Sequence, residues 1–297
     1  MLVYGHPMKY IASGVIVAMA LGAAMEVRAD KRGDAELVTL VQTLTLHVIG
    51  DNTKKVPEGT KPLRIAIRAL EGVIPSPGDY PDPDPYPVKG ISARAKPNPI
   101  AFTADAKAGW ITADVDGKWP CAVIGCKDES TTFHATMVFE ADKPWHPIAV
   151  DIGHPYTAKE AAKFDAPPAI ARQIDAGAEE PAKLFESTIG DVKALTATVS
   201  DRKEAVLYGS ERAEKYVGGA AVKSTLAKWN FTFKVRDGVQ AGVTSNKTLA
   251  WVAANVDATS AKTPAAKPTP YMALFVYEKV DTTWKLVVVQ FSLFAQT

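Results

Sequence analysis

The chain has 297 residues, 47% hydrophobic and 23% charged, with a formal net charge of +1. This composition is that of an ordinary globular protein and excludes a chain that is disordered or membrane-spanning throughout. The balance of 34 basic and 33 acidic residues lacks the positive field that binding to nucleic acid or to an anionic membrane requires. The length allows two domains of ordinary size.

The first 29 residues have the pattern of a signal peptide. Met8-Lys9 gives a short positive start, residues 10–25 are uncharged, and Val27-Arg28-Ala29 suits cleavage before Asp30. Met8 is a second candidate start. We expect a secreted or periplasmic protein with no membrane contact after cleavage, and an uncleaved anchor remains the alternative.

The next elements are a predicted helix and a predicted loop. Residues 34–49 place apolar side chains near helical spacing behind Asp34, a suitable N-cap. Residues 62–74 fit a helix or a strand. The proline-rich stretch 75–87 cannot lie inside a sheet or a helix, and we expect a stiff surface loop.

Strands are predicted through the rest of the first half. In residues 132–140 apolar and polar side chains alternate, so Phe133 and Met137 share one face and His134 and Thr136 the other. The predicted strands are 90–95, 99–104, 109–116, 132–140 and 145–153.

Two cysteines, Cys121 and Cys126, lie between these strands. In an exported protein an even number of closely spaced cysteines favours a disulfide. A zinc site with His134 as third ligand is the alternative, but the sequence offers no obvious fourth ligand. We therefore expect no metal and no cofactor.

Residues 155–178 are rich in Ala, Lys, Glu and Asp and predict a helical lead-in to the second half. Asp237-Gly238 predicts a tight hairpin turn. The other predictions are helices at 180–190 and 220–229, strand-like segments at 195–199 and 205–208, and strands at 230–236, 239–245, 248–256, 270–279 and 283–294.

The two halves repeat one pattern. Residues 109–116 (GWITADVD) and 250–257 (AWVAANVD) place Trp110 and Trp251 141 positions apart. Each phrase is followed by a loop, an apolar run that ends in Glu, a turn and a further Trp with its own apolar run. A period of this size indicates duplication of a domain rather than a solenoid of short units.

Several segments of the second half resemble the SnoaL-like branch of the nuclear transport factor 2-like superfamily. They are residues 206–219 (VLYGSERAEKYVGG), the helix after them, Ala250-Trp251-Val-Ala and residues 284–292 (WKLVVVQFS). The resemblance covers about 110 residues of the second half and residues 100–153 of the first.

This resemblance implies an α+β fold of two cone-shaped domains, each with N-terminal helices packed on a strongly bent antiparallel sheet. We assign the first domain to 30–155, the linker to 156–178 and the second domain to 179–297. Members often dimerise through their sheets, so we expect an intramolecular pseudo-dimer that is a monomer in solution.

The superfamily includes both enzymes and binding modules, so pocket residues must decide the function. Relatives often carry His-x-Ser on the last strand, where this chain has Gln290 and Ser292, with Asp151 and Gly153 in the first half. All five histidines lie at or before residue 154. We interpret Asp257 and Glu278 as solvated carboxylates at strand ends.

Two hypotheses follow. The first is an exported, non-catalytic protein that binds an apolar small molecule or a protein partner. Its ligand-pocket candidates are Trp110, Trp251, Tyr271, Gln290 and Ser292. The second is an isomerase- or hydrolase-like enzyme in which His134 and Asp151 form an acid–base pair in a first-domain pocket.

Overall fold

The computed structural model describes residues 31–48, 64–66, 92–119, 129–140, 145–153 and 166–293. The predictions for the signal peptide, the proline-rich loop and the pair Cys121 and Cys126 lie outside these residues. Within the described residues, no helix combines the length and the apolar character needed to span a membrane.

In the first half, the described residues form one helix and one sheet. The strands are arranged in the order β1-β6-β5-β4-β2, with β3 beside β4. The elements are α1 (Lys31–Val48), β1 (Arg64–Ala66), β2 (Ser92–Pro97), β3 (Ala101–Phe102), β4 (Ala108–Trp119), β5 (Glu129–Glu140) and β6 (His146–Gly153).

In the second half, residues 166–293 form three helices and a seven-stranded sheet in the order β7-β10-β11-β12-β13-β8-β9. The helices are α2 (Glu179–Thr188), α3 (Val192–Thr198) and α4 (Gly219–Leu226). The strands are β7 (Gln173–Ile174), β8 (Val206–Tyr208), β9 (Lys215–Val217), β10 (Phe231–Val243), β11 (Leu249–Ser260), β12 (Thr269–Val280) and β13 (Thr283–Ser292).

These elements confirm an α+β chain and most of the predicted strands and helices. Three assignments are wrong. Residues 195–199 were expected in an extended segment, but most of them belong to α3, which begins at Val192. Asp191 is the N-cap of this helix, because its side chain accepts hydrogen bonds from the amides of Lys193 and Ala194. The described part of 155–178 contains the short strand β7 and no helix.

The predicted Asp237-Gly238 hairpin turn is also wrong, because β10 continues through it as one strand with a bulge between Val235 and Val239. The reason lies in a neighbouring segment. The Gly238 amide donates to the Ile170 carbonyl at 2.9 Å, and a Cβ at Gly238 would lie 2.3 Å from that oxygen. Glycine is required here by close packing rather than by a turn.

The strand pairs of the two sheets have corresponding registers. Ala108 pairs with Glu140 in the first sheet, and Leu249 pairs with Glu278 at the corresponding place in the second. The next strand pair in each sheet shifts register at the same place, between Val138 and Phe139 and between Val276 and Tyr277.

Helices cover one face of each sheet. In the first half, Leu37, Val41 and Leu44 of α1 pack on a face that includes Phe133 and Met137, as the alternation predicted. In the second half, α2, α3 and α4 contribute to a core that includes Phe185, Phe275 and Phe291. Apolar side chains fill both of these faces.

Candidate functional site

The faces without helices contact each other. A buried apolar cluster joins the two sheets, and polar side chains surround it. The cluster contains Ala101, Ala108, Trp110, Val138, Ile148, Ala149, Leu249, Ala253, Leu274, Val276, Val287 and Val288, with Trp251 packed against them. We call this contact the sheet–sheet interface.

Both predicted catalytic residues lie in the sheet–sheet interface and are buried. Asp151 pairs with Thr136, and His134 is two residues along the same strand, so the two side chains share a face. That face contacts the second sheet, whereas α1 covers the other one. The pair therefore faces the second half of the chain rather than the apolar side of its own sheet.

The surroundings of His134 come from both halves. Its ring stacks on Tyr208 with the centroids 4.3 Å apart, and its Nε2 lies 4.0 Å from Asp114 Oδ1. Burial lowers the pKa of His134 to about 4, although Asp114 and a hydrogen bond to the Gly209 carbonyl favour the charged form. His134 is therefore neutral at pH 7.

Asp114 is the carboxylate close to His134, and no sequence pattern indicated it. It accepts a hydrogen bond from the Tyr208 hydroxyl at 3.3 Å and forms a 2.7 Å ion pair with Lys215. Asn98 donates to the Tyr208 oxygen at 2.9 Å. Burial raises the pKa of Tyr208 well above its ordinary range, so the hydroxyl stays protonated.

Gln290, Ser292 and Asp151 form a second polar group in the interface. Thr136 Oγ1 donates to Gln290 Oε1 at 2.6 Å, and Gln290 Nε2 donates to the His134 carbonyl at 3.1 Å. Ser292 Oγ donates to Asp151 Oδ1 at 3.3 Å. These predicted site residues form hydrogen bonds with one another across the two halves. Protein atoms therefore occupy the space that a substrate would need.

The two predicted ligand-binding tryptophans are also interface residues. Trp110 is buried under the Arg202 guanidinium, 5.0 Å from the ring centre, and its Nε1 donates to the Glu204 carbonyl at 3.3 Å. Trp251 and Asp151 both line a small cleft between the sheets. The volume of the cleft is about 10 Å³. This is enough for one water molecule and too small for a larger ligand.

Tyr271, the fifth ligand-pocket candidate, belongs to a different place. It lies on the helix-covered face of the second sheet, where its ring packs 5.9 Å from Phe291. Phe291 stacks on Phe233 at 5.0 Å, and Trp229 contacts both rings at 5.7 and 5.8 Å. Phe231 extends this set of rings 6.4 Å beyond Phe233. We call these five rings the aromatic cluster.

The aromatic cluster runs from the core to the surface. Phe233 and Phe291 are buried, Trp229 and Tyr271 are half-buried, and Phe231 is 44% exposed. Phe231 and Phe233 lie two positions apart on β10 and therefore share a face, but the sequence pattern could not show that β10 reaches the surface at this end.

The interpretation of Glu278 as a solvated carboxylate is wrong. The residue is buried, and burial raises its pKa. Arg202 pairs with it at 2.7 Å and also donates to the Phe102 carbonyl at 3.1 Å. Glu278 therefore helps to join the halves. Asp257 is half-buried and is paired with Arg236 at 2.5 Å.

In the part of the chain that the structure describes, no group of three or more His, Cys, Asp or Glu side chains is arranged to hold a metal ion.

No protein-family model and no curated protein matches this sequence. The solved structures that resemble part of the chain include nuclear transport factor 2-like and ketosteroid isomerase-like proteins. A ketosteroid isomerase-like protein from Erwinia carotovora atroseptica is 22% identical, with a TM-score of 0.29, over 39% of this chain and 91% of its own. A nuclear transport factor 2-like protein of unknown function from Pseudomonas putida is 12% identical, with a TM-score of 0.30, over 37% and 79%. A Nostoc punctiforme protein of unknown function with a cystatin-like fold is 14% identical, with a TM-score of 0.28, over 38% and 86%.

Proposed function

We propose that this protein is an exported, non-catalytic binding protein made of two fused SnoaL-like domains of the nuclear transport factor 2-like superfamily. The sequence motifs of the second half and the strand register common to both sheets support this assignment. The domains are residues 30–155 and 179–297, and residues 156–178 connect them.

We propose further that the two domains form an intramolecular pseudo-dimer. Corresponding residues meet at the contact: Asp105 bonds to Asn246, and Gly153 lies against Ser292. Like-to-like contacts are what a twofold axis produces. The sheet faces through which relatives dimerise are then occupied within one chain, so light scattering should give the mass of a single 31.8 kDa chain or its processed form. A mass twice as large contradicts this arrangement.

The ligand we propose is an apolar small molecule bound at the aromatic cluster. The observation that carries this proposal is the graded exposure of five contacting rings, which ends in Phe231 at 44%. Rings in partial contact with water retain apolar surface that a ligand can cover, and each covered ring adds affinity through its area and its edge or face contacts.

The burial and the hydrogen bonding of the polar residues support a non-catalytic role. His134, Tyr208 and Asp151 are buried, and their hydrogen bonds and ring contacts are made to protein atoms across the sheet–sheet interface. An acid or base must reach the proton that it transfers. These side chains therefore act as interface residues in this proposal.

The test is binding of N-phenyl-1-naphthylamine, whose fluorescence increases at apolar sites. Phe231→Ala should weaken probe binding roughly three- to tenfold, the loss expected for one aromatic contact. Val280→Ala is the matched control, because Val280 is also 44% exposed but lies at the opposite end of its hairpin from the aromatic cluster. Equal affinities for the two variants would contradict the proposed site.

The natural ligand and the export can be tested together. Native mass spectrometry of protein purified from its own host should show a retained apolar molecule. The same spectra should show a mature chain that begins at Asp30. A chain that keeps residues 10–25 would instead support a retained anchor, and a co-purifying protein in place of a small molecule would assign the cluster to a protein partner.

A further inference from the structure

Two polar side chains at the bulge of β10 each have a buried oxygen atom to which no described residue donates a hydrogen bond. Asp237 lies in the bulge, and Asn255 is opposite it on β11. Asn255 Nδ2 donates to Asp237 Oδ2 at 2.9 Å and to the Pro168 carbonyl at 2.8 Å. The amide thus links the bulge to the segment that enters the second half.

The two remaining oxygens of this pair have no donor in the part of the chain that the structure describes. Asp237 Oδ1 and Asn255 Oδ1 are both sealed from solvent without a hydrogen-bond partner, and Asn255 as a whole is 1% exposed. Turning the Asn255 amide over would place its oxygen against Asp237 Oδ2 and the Pro168 carbonyl, which are also acceptors. Rotation therefore cannot supply the missing donor.

The charge of Asp237 is the second feature of this pair. Among the described residues no basic side chain forms an ion pair with it, and the adjacent Arg236 pairs with Asp257 instead. Asp237 as a whole is half-buried, but its Oδ1 atom is sealed from solvent, and a sealed carboxylate oxygen without a counter-charge is unfavourable. A water molecule would satisfy the two acceptors but would leave the negative charge uncompensated.

We propose that Asp237 Oδ1 and Asn255 Oδ1 are ligands of a small monovalent cation, with sodium the best fit. Hard cations prefer carboxylate and carbonyl oxygens. One carboxylate balances one positive charge, whereas a divalent ion would leave an excess charge in a sealed place. The Pro168 carbonyl lies beside the pair and has a second lone pair available.

The cation site connects the entering segment to the sheet. The Gly238 amide donates to the Ile170 carbonyl at 2.9 Å, and the Asp175 amide donates to Ala241 at the same distance. Bound sodium therefore stabilises the docking of residues 168–175 on β10, because an ion that binds only the folded state raises its stability.

The test compares the full-length protein in sodium chloride and in tetramethylammonium chloride at equal ionic strength. We expect the unfolding midpoint to be about 2–6 °C higher in sodium. Amide hydrogen exchange in residues 168–175 should be at least about threefold slower in sodium, because an ion-stabilised contact opens less often. Calcium chloride should reproduce neither effect.

Asp237→Asn should remove the difference between the two salts while keeping the shape of the side chain. Asp257→Asn is the matched control, because it removes a carboxylate from the same strand pair, one paired with Arg236, and should keep the sodium effect. Equal midpoints and equal exchange in both salts would overturn the proposal, as would an equal loss of the effect in both variants. The exchange measurement on the wild-type protein decides the matter even if Asp237→Asn does not fold.

Discussion

Asn246 Nδ2 donates a 2.8 Å hydrogen bond to Asp105 Oδ2, and the two residues are 141 positions apart. Each occupies the same place in its own turn. Thr103 Oγ1 bonds to Asp105 as Thr244 Oγ1 bonds to Asn246, and both turns return to the strand through the same backbone pair. The repeat in the sequence thus corresponds to a repeated turn, and the two turns touch.

Asn246→Asp should destabilise the protein by about 1 kcal/mol, because the new carboxylate faces Asp105 and loses the donated hydrogen bond. Urea unfolding at low and high salt measures this change, and the loss should be smaller at high salt. The exchanged pair Asp105→Asn with Asn246→Asp should recover most of the stability. Failure of the exchange to restore it would show that the two turns do not depend on this contact.

The same turns contain Ala106 and Lys247 with φ of 55° and 56°. Side chains other than glycine are strained in this left-handed region. We expect Ala106→Gly and Lys247→Gly each to stabilise the protein by about 0.5–1 kcal/mol, and by similar amounts. Thermal unfolding measures both. Lys107→Gly, at a neighbouring position without positive φ, is the control and should destabilise.

Gly153 and Ser292 also meet across the contact. A Cβ at Gly153 would lie 2.2 Å from Ser292 Oγ, so Gly153→Ala should cost about 1–3 kcal/mol through overpacking. Adding Ser292→Gly should recover part of that loss. A double-mutant cycle by chemical unfolding measures the coupling, and strictly additive effects would contradict direct contact between the two positions.

His134 makes the stability depend on pH. Its folded pKa is about 4, below the value near 6.5 of an unfolded histidine, so the unfolded chain binds more protons between these values. Stability should therefore decrease as the pH is lowered from 6.5 to 4, by about 3 kcal/mol from this residue.

The measurement is the free energy of unfolding from pH 7.5 to 4.5 in the wild type and in His134→Phe. The variant keeps a ring against Tyr208 but cannot bind a proton, so its curve should be flatter. The lowered pKa values of Asp105 and Asp116 act in the same direction at the acid end and are common to both proteins. Parallel curves would show that His134 does not titrate as proposed.

The sequence predicted strand positions and their faces well, because alternation of side chains is local information. It separated the face with Phe133 and Met137 from the face with His134 and Thr136, as the structure has it. It also aligned the halves closely enough that the turn residues and the shifted register correspond.

The sequence could not predict what each face contacts. Asp114 bonds to Tyr208 and Lys215, which are 94 and 101 positions away, and no local pattern shows such a pairing. The Asp237-Gly238 prediction was wrong for the same reason. The residue that explains Gly238 is Ile170, whose carbonyl approaches too closely for any side chain.

The sheet–sheet interface has different residues on its two corresponding sides. By the repeat, Asp114 and His134 on one side correspond to Asn255 and Met272 on the other. When two identical chains associate through the same face, every substitution appears on both sides of the interface, and both sides must still pack together. Here both faces belong to one chain, so a residue on one face can change while the corresponding residue on the other stays the same. This explains why charged and aromatic side chains surround His134 on one side of the interface only, without the same arrangement at the corresponding place on the other side.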